Sequence, residues 1–402
     1  MAGFVRREWT FWLVIGVGVL LAFALKPHPV VAAFFGFAFA AQSAIGNDSM
    51  QTLGTFIASN RRVPWWALSG FISVVMVGVM LFGWLSDGGS ISFGRLDRFD
   101  EFTSFTTLQM LAPLVLLILT RYGIPVSTSF LLLGVFATPS LIQGMVVKTM
   151  AGYAGAFVAA IGVWLAVRAV VRRVTDPDGG RHPAWRVAQW CSTGLLWAYW
   201  LKQDTANIAI FLPKQLGATE LVLALAIMVG VVFGVMVRRG GRIQRIVEQK
   251  SATDDVRSAT LVDLAYAVLL LIFKEVNSLP MSTTWVFLGL LAGRQTAYLF
   301  TRYPGATARD TLSGAGRDLG KAAVGLIISL GMYGLGVALA RDVGDADDGA
   351  EAQETVVDQA PAETDDRQPD ETIGVPIEDQ VLEDQPMETQ GNDSDEPAPG
   401  GD

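Results

Sequence analysis

Long apolar segments recur along most of the chain and constrain its fold more than any other feature. A membrane-spanning helix needs about 20 predominantly apolar residues. Segments of this kind lie near 9–25, 30–59 (interrupted), 63–84, 103–120, 126–147, 150–167, 187–214 (interrupted), 220–237, 259–274, 280–300 and 319–340. With 51% hydrophobic residues and a mean hydropathy of +0.41, the chain is too apolar for an ordinary soluble domain. The sequence therefore predicts an all-α, polytopic membrane protein.

Charge divides the chain into an apolar body and an acidic tail. Residues 342–402 hold 21 of the 38 acidic residues and a single basic residue, Arg367. Such a segment buries too little apolar surface to offset its ordering entropy, so we predict a disordered tail over 341–402. One cysteine and two histidines exclude a disulfide framework and a multi-cysteine or histidine metal centre. We expect no cofactor, no nucleic-acid partner and no enzymatic activity.

The basic residues predict how the chain crosses the membrane. If the N-terminus with Arg6 and Arg7 is inside, the predicted inner loops carry 20 Lys or Arg residues, whereas the outer loops and tail carry seven. Cytoplasmic loops are enriched in basic residues, so this bias favours an inside N-terminus. We therefore predict a multi-pass protein of the inner cell membrane whose acidic tail lies outside. A homo-oligomer is compatible with the sequence but is not required by it.

Two unrelated motifs occur twice at almost the same separation. GNDSMQTLGT, which contains Asp48, is echoed by KQDTANIAIF, which contains Asp204, 156 residues later. IPVSTSF, which contains Pro125, is echoed by LPMSTTW, which contains Pro280, 155 residues later. A shared offset between different motifs indicates a duplicated unit.

The duplication and the orientation together predict an inverted repeat. Each copy holds about five spans, and an odd number places consecutive copies in opposite orientations. Inverted repeats with broken helices or re-entrant hairpins in matching positions are typical of secondary transporters, with the site near the bilayer midplane. The predicted regions are an N-terminal anchor span, a first repeat, a basic cytoplasmic loop, a second repeat and the tail, over 1–29, 30–170, 171–186, 187–340 and 341–402.

These motifs resemble those of the inorganic phosphate transporter (PiT) family. The family carries a Gly-Ala-Asn-Asp-Val-Ala-Asn-like stretch in each half and Pro-Val-Ser-Thr-Thr segments, to which PVSTS and PMSTT are similar. The resemblance covers roughly residues 30–340. It implies a sodium- or proton-coupled permease for phosphate or sulfate. Ile210 and Phe211 depart from the pattern, because the family usually has small or helix-breaking residues there.

The first motif pair has the chemistry of a cation site. A carboxylate near the bilayer centre costs about 2.5–3.5 kcal/mol unless a cation or proton neutralises it. Carboxylate, amide and hydroxyl oxygens suit Na⁺ or a proton. The predicted coupling-cation residues are Asn47, Asp48, Gln51, Thr55, Gln203, Asp204 and Asn207. The alternative is that each Asp caps a broken helix or pairs with a nearby basic group, for which Lys202 is the candidate beside Asp204.

The Pro-x-Ser-Thr segments have the chemistry of an anion site. Pro followed by Ser or Thr is typical of a helix start, and a helix N-terminus presents unpaired N–H groups and positive potential. The predicted phosphate-binding residues are Ser127, Thr128, Ser129, Ser282, Thr283 and Thr284, together with Asp48 and Asp204. The alternative is that they are ordinary caps and interhelical hydrogen bonds.

The expected function is phosphate import by cation symport with alternating access around a midplane site. Monohydrogen phosphate keeps an O–H donor for a carboxylate, whereas sulfate has none, which favours phosphate. A sulfate or other oxyanion permease of the same fold is the alternative. A transport-inactive binding protein and an intramembrane hydrolase that uses Asp48 and Asp204 as an acid/base pair are further alternatives. The sequence leaves Na⁺ and H⁺ coupling equally open.

Overall fold

The computed structural model describes residues 2–101, 104–122, 124, 126–173, 183–237, 256–276, 280–301 and 307–357, and these residues contain no β-strand. Their α-helices, in chain order, are α1 (Ala2–Ala24), α2 (Pro29–Asn47), α3 (Ser49–Ser59), α4 (Trp65–Ser86), α5 (Thr107–Arg121), α6 (Pro139–Arg173), α7 (Pro183–Ala209), α8 (Ala218–Val237), α9 (Val256–Val276), α10 (Thr283–Phe300) and α11 (Ala308–Val357). Residues 1–345 and 346–402 form two separate compact units. The second unit is described only where it continues α11.

Apolar composition makes several of these helices suited to a lipid bilayer. Five described helical stretches are long and apolar enough to cross a membrane: Pro29–Asn47, Trp65–Ser86, Pro139–Ala166, Ala218–Val237 and Ala308–Leu339. Shorter apolar helices cover Glu8–Ala24, Thr107–Arg121 and Ala259–Phe273. Backbone polar groups in lipid must be satisfied within the segment, which favours helices throughout. The prediction of an all-α, multi-pass membrane protein is confirmed.

Proline and capping residues explain where helices begin. Pro29, Pro139 and Pro183 occupy the first positions of α2, α6 and α7, where the missing N–H costs nothing. At the start of α5, the Thr106 hydroxyl oxygen accepts a bond from the Gln109 N–H at 3.2 Å. The Gln109 side chain in turn accepts from the Thr106 N–H at 2.8 Å. This reciprocal capping box fixes the start of α5.

Helix packing recurs at the offset found in the sequence. Helix α2 packs against α5, and α7, which lies one offset later, packs against α9. Similarly, α2 packs against α8, while α7 packs against α4. Helices α4 and α8, which are themselves one offset apart, pack against each other. A duplicated unit would produce these pairings. The inversion of the two copies stays a prediction.

Two predicted boundaries differ from the structure, and one predicted interruption is located by it. The predicted spans 126–147 and 150–167 are wrong, because α6 continues through residues 148 and 149 and only short helical segments, Ser129–Leu133 and Gly134–Phe136, precede it. The predicted interruption of 187–214 lies at Ala209, where α7 ends, and α7 is continuous through Asp204. Helix α11 extends to Val357, past the predicted tail boundary at residue 341. Residues 174–182 of the predicted loop and 358–402 of the tail lie outside the described residues.

Two glycines in α10 allow its close packing against α6. A Cβ at Gly289 would lie 2.3 Å from the Tyr153 carbonyl oxygen, and one at Gly293 would lie 2.1 Å from the Phe157 carbonyl oxygen. Small residues four apart let membrane helices approach at backbone distance. The main chain of α6 therefore leaves no space for any side chain at these positions.

Gly293→Ala should destabilise the protein by about 1–3 kcal/mol, because the added methyl group pushes two helices apart. Thermal unfolding in detergent should show a lower midpoint than the wild type. Gly162→Ala is the matched control, since a Cβ added at Gly162 would have no neighbouring atom within 4 Å. Equal midpoints for the two variants would contradict this account of the helix contact.

Candidate functional site

Asp48 lies at the break between α2 and α3, with 1% of its surface exposed. One carboxylate oxygen accepts a hydrogen bond from the Thr128 hydroxyl at 2.6 Å. The other oxygen accepts bonds from the Asn47 amide at 2.8 Å and from the Thr284 hydroxyl at 3.1 Å. Residues from both predicted repeats therefore hold this carboxylate.

Asp204 occupies the corresponding position on α7 and is equally buried. Its carboxylate accepts from the Thr283 hydroxyl at 2.5 Å and from the Asn207 amide at 2.8 Å. Thr283 lies 155 residues after Thr128, so the same motif position supplies a hydroxyl to the Asp of its own repeat in both halves. The two motif pairs are brought together in each half.

A continuous hydrogen-bond path joins the two carboxylates. The Thr128 hydroxyl donates to Asp48 and accepts from the Asn207 amide at 2.9 Å. The same amide donates to Asp204. Asp48, Thr128, Asn207 and Asp204 thus form one buried network across the two halves, which we call the central network. A change in the charge of either carboxylate can be transmitted to the other through two polar side chains.

The remaining motif residues either form hydrogen bonds between the two halves or accept backbone hydrogen bonds as helix caps. The Ser129 hydroxyl donates to the Met281 carbonyl at 3.0 Å, and its counterpart Thr284 lies 3.5 Å from the Val126 carbonyl. These are equivalent contacts at an offset of 155 residues. Ser127 and Ser282 instead accept bonds from backbone N–H groups three residues later, at 3.3 and 3.4 Å.

Only the second Pro-x-Ser-Thr segment begins a regular α-helix. Ser282 is the N-cap of α10, an 18-residue helix, as predicted. Ser127 and Thr128 lead into a five-residue π-helix and a three-residue 3-10 helix, which then break before Pro139. Such short segments have little macrodipole, so in the first copy the predicted anion site would depend on hydroxyl groups and not on a helix N-terminus.

Two buried amide oxygens beside Asp204 are left without a hydrogen-bond partner among the described residues, namely Gln203 Oε1 and Asn207 Oδ1. Their orientation is fixed, because the Gln203 amide nitrogen donates to the Leu270 carbonyl at 3.0 Å and the Asn207 nitrogen donates to Asp204. A buried acceptor with no donor costs free energy. A cation beside Asp204 would use both oxygens.

Thr55, predicted to join the Asp48 site, binds a different carboxylate. Its hydroxyl donates to Asp263 on α9 at 2.7 Å, and the Thr193 hydroxyl donates to the other oxygen at 2.6 Å. The sequence reasoning missed Asp263 and Thr193. Asp263 lies within the predicted span 259–274, so the rule that marks an intramembrane carboxylate as functional could have found it. The side chain of Gln51 lies outside the described residues.

Two further polar groups support the second Pro-x-Ser-Thr segment. The Tyr266 hydroxyl donates to the Thr283 carbonyl at 3.2 Å, and the Thr149 hydroxyl accepts from the Ser282 N–H at 3.1 Å. Neither residue carries a sequence signal of its own, because each lies in an apolar helix far from the motifs. They orient the residues that contact Asp204 and Asp48.

The fold and the buried polar groups together define a multi-pass helical membrane protein with a polar centre built from both halves of the chain. No family model and no curated protein matches the sequence. Among solved structures, the chain is similar to one described as "The sodium-dependent phosphate transporter", with a TM-score of 0.52 and 15% identity over 79% of this chain and 99% of that one. The likeness confirms the fold that the sequence resemblance implied.

Proposed function

We propose that the chain imports inorganic phosphate by symport with Na⁺ or H⁺, using the central network as its site. The observation that carries the proposal is the bonding of Asp48 and Asp204, through Thr128 and Asn207, by hydroxyl and amide groups from both halves. The fold likeness to a structure described as a sodium-dependent phosphate transporter supports it. The recurrence of equivalent contacts at one offset supports two related halves that rock against each other.

Charge balance explains why the anion needs a cation. Two carboxylates and a doubly charged phosphate repel one another, at roughly 4 kcal/mol for each pair of unit charges near 4 Å even with an effective dielectric of about 20. Positive charge must therefore enter with the anion. Asp204 with the free oxygens of Gln203 and Asn207 offers a cation three oxygen ligands from one helix.

The hydrogen bonds supply a way for cation and anion binding to be coupled. In this structure the hydroxyl groups of Thr128, Thr283 and Thr284 donate to the carboxylates. A proton or Na⁺ bound to a carboxylate weakens the hydrogen bonds that the carboxylate accepts from these hydroxyls. The hydroxyls can then donate to phosphate instead. Phosphate in turn raises the affinity for the cation by the same factor, because coupling between two binding events is reciprocal.

Phosphate suits this site better than sulfate does. Monohydrogen phosphate has one O–H donor that a carboxylate can accept, whereas sulfate presents only acceptors. With two buried carboxylates at the centre, sulfate would face both of them without a proton between, whereas monohydrogen phosphate supplies a proton to one. The preference follows from unpaired buried polar groups, which are the strongest source of discrimination between similar ligands.

Uptake of radiolabelled phosphate into proteoliposomes tests the proposal. We expect uptake to require an inward Na⁺ or proton gradient and to be inhibited by arsenate more strongly than by sulfate. Replacing Na⁺ with choline, with and without a protonophore, identifies the coupling cation. Uptake of sulfate but not phosphate would contradict the substrate, and turnover of a bound compound without any gradient would favour an enzyme.

A further inference from the structure

Trp200 lies on the face of α7 that carries the second half of the candidate site. It is followed three, four and seven residues later by Gln203, Asp204 and Asn207. With 3.6 residues per turn, these four positions span about 100° of the helix circumference, and Trp200 lies about 6 Å along the axis from Asp204. Side chains on a helix lean towards its N-terminus, so those of Gln203 and Asp204 lie over the turn that carries Trp200.

The orientation of the Trp200 ring is fixed by a second tryptophan. The rings of Trp197 and Trp200 stack face to face, with centroids 4.8 Å apart and an angle of 6° between their planes. Trp197 is held in turn by its own indole N–H, which donates to the Ile72 carbonyl oxygen on α4 at 3.1 Å. Both tryptophans are fully buried. The indole N–H of Trp200 is therefore held in a preorganised position inside the protein.

This N–H is a buried donor without a hydrogen-bond partner in the part of the chain that the structure describes. An indole nitrogen can only donate, and buried tryptophans usually place it against an acceptor. A buried donor without an acceptor costs free energy. The Gln203 and Asn207 amide oxygens are unpaired acceptors on the same helix face, and neither accepts from the indole. One donor and two acceptors on this face of α7 can therefore bind a ligand.

The hydroxyl donors of the Pro-x-Ser-Thr segments differ from this N–H because they are already in use. Those of Thr128, Thr283 and Thr284 donate to the carboxylates, so phosphate can accept from them only after these bonds weaken. The Trp200 N–H requires no such exchange. The first half has no equivalent donor, since Ala44 lies 156 residues before Trp200.

We propose that the Trp200 indole N–H donates to an oxygen of the bound phosphate, beside the cation that Gln203, Asp204 and Asn207 would hold. The cation ligands begin within one helical turn of Trp200, a separation that one tetrahedral anion can bridge. A hydrogen bond to a charged acceptor is stronger than one between neutral groups. A neutral donor also adds affinity for the anion without a charge that would repel the coupling cation. This inference rests on the proposed function and deepens it.

Removal of the N–H tests the proposal. In proteoliposomes, Trp200→Phe should raise the half-saturating phosphate concentration about tenfold, because it removes one hydrogen bond to a charged acceptor. The maximal rate should stay within about twofold of the wild type, since the central network is unchanged. Trp197→Phe is the matched control, because it alters the same stack but removes an N–H that donates to Ile72. It should keep the wild-type half-saturating concentration and, having lost that bond, should unfold at a lower temperature than Trp200→Phe.

A tryptophan isostere removes the N–H without changing the packing of the ring. Benzothienylalanine at position 200 has sulfur in place of the N–H and keeps the bicyclic ring, so it should reproduce the tenfold effect at an unchanged thermal midpoint. With the coupling cation present in detergent, inorganic phosphate should stabilise the wild type against heat. The isostere variant should need about ten times more phosphate for the same stabilisation.

The outcomes separate phosphate binding from ring packing and from failure of the proposed function. A wild-type half-saturating concentration in the isostere variant overturns the proposal, even if Trp200→Phe is impaired. Equal increases in Trp197→Phe and Trp200→Phe would assign the effect to the ring stack and also overturn it. A wild type that neither takes up phosphate nor is stabilised by it would instead refute the proposed function.

Discussion

Asp48→Asn should reduce cation-coupled phosphate uptake by about 100-fold, or roughly 2.7 kcal/mol of transition-state stabilisation. The amide keeps the shape of the side chain and one acceptor oxygen, which can serve the Thr128 hydroxyl or the Thr284 hydroxyl but not both, because the two donate to different carboxylate oxygens. The substitution removes the negative charge that attracts the coupling cation. Phosphate binding is then no longer coupled to cation binding at this position. Initial rates of gradient-driven uptake in proteoliposomes measure the effect.

A second measurement on Asp48→Asn separates coupling from folding. A ligand that binds only the folded protein raises its stability with concentration. The wild type should therefore be stabilised against heat by the coupling cation, and the variant should lose that dependence while it stays folded. Asp87→Asn, at an exposed position, is the control and should keep both properties. Uptake by Asp48→Asn within about threefold of wild type would refute a coupling role for this carboxylate.

The pattern of apolar segments predicts the fold class, but it does not predict the bounds of one helix, α6. The sequence placed Lys148 between the predicted spans 126–147 and 150–167, but α6 continues through it. Composition cannot tell whether a charged residue ends a span or is buried within the bundle, because that depends on neighbours distant in sequence. Here Lys148 is buried within α6, in a stretch long and apolar enough to cross a membrane.

The candidate site likewise contains some contacts that the repeated motifs predict and others that they do not. The spacing of the motifs predicted that Thr128 and Thr283 occupy equivalent positions, and each contacts the Asp of its own repeat. The contact of Asn207 with Thr128 joins different halves, so no single motif contains it. Asp263 has no counterpart in the first repeat, where Leu108 lies one offset earlier, and a search for matching motifs therefore passes over it.

The departure at Phe211 is likewise explained by a residue far away in sequence. The ring packs against Phe105 and Phe136, with centroids 5.8 and 5.3 Å apart. It occupies space that Gly36 leaves open on α2, where a Cβ would lie 2.4 Å from it. A bulky residue in the second motif is therefore accommodated by a small residue in the first repeat. The contacts of Asp204 with Thr283 and Asn207 are formed with this ring in place.

Thr128→Val should lower uptake by about 10- to 100-fold, because its hydroxyl is the junction of the central network. Hydrogen bonds to charged groups contribute about 1.5–3 kcal/mol, and the valine removes both the donor to Asp48 and the acceptor for Asn207. Valine has nearly the shape of threonine, so the packing around the site is preserved. Initial uptake rates, measured as for Asp48→Asn, give the size of the loss.

Thr128→Ser separates the hydroxyl from the shape of the side chain. Serine keeps the oxygen and should retain uptake within about threefold of wild type, since it can make the same two bonds. Thr283→Val should resemble Thr128→Val because it removes the equivalent donor to Asp204. In the variant that carries both valines, the fold-loss of uptake should be smaller than the product of the two single fold-losses. Both residues act on one network, and the free-energy effects of coupled residues are not additive. Fully multiplicative losses would mean that the two carboxylates work independently, and the path through Thr128 and Asn207 would then have no part in coupling.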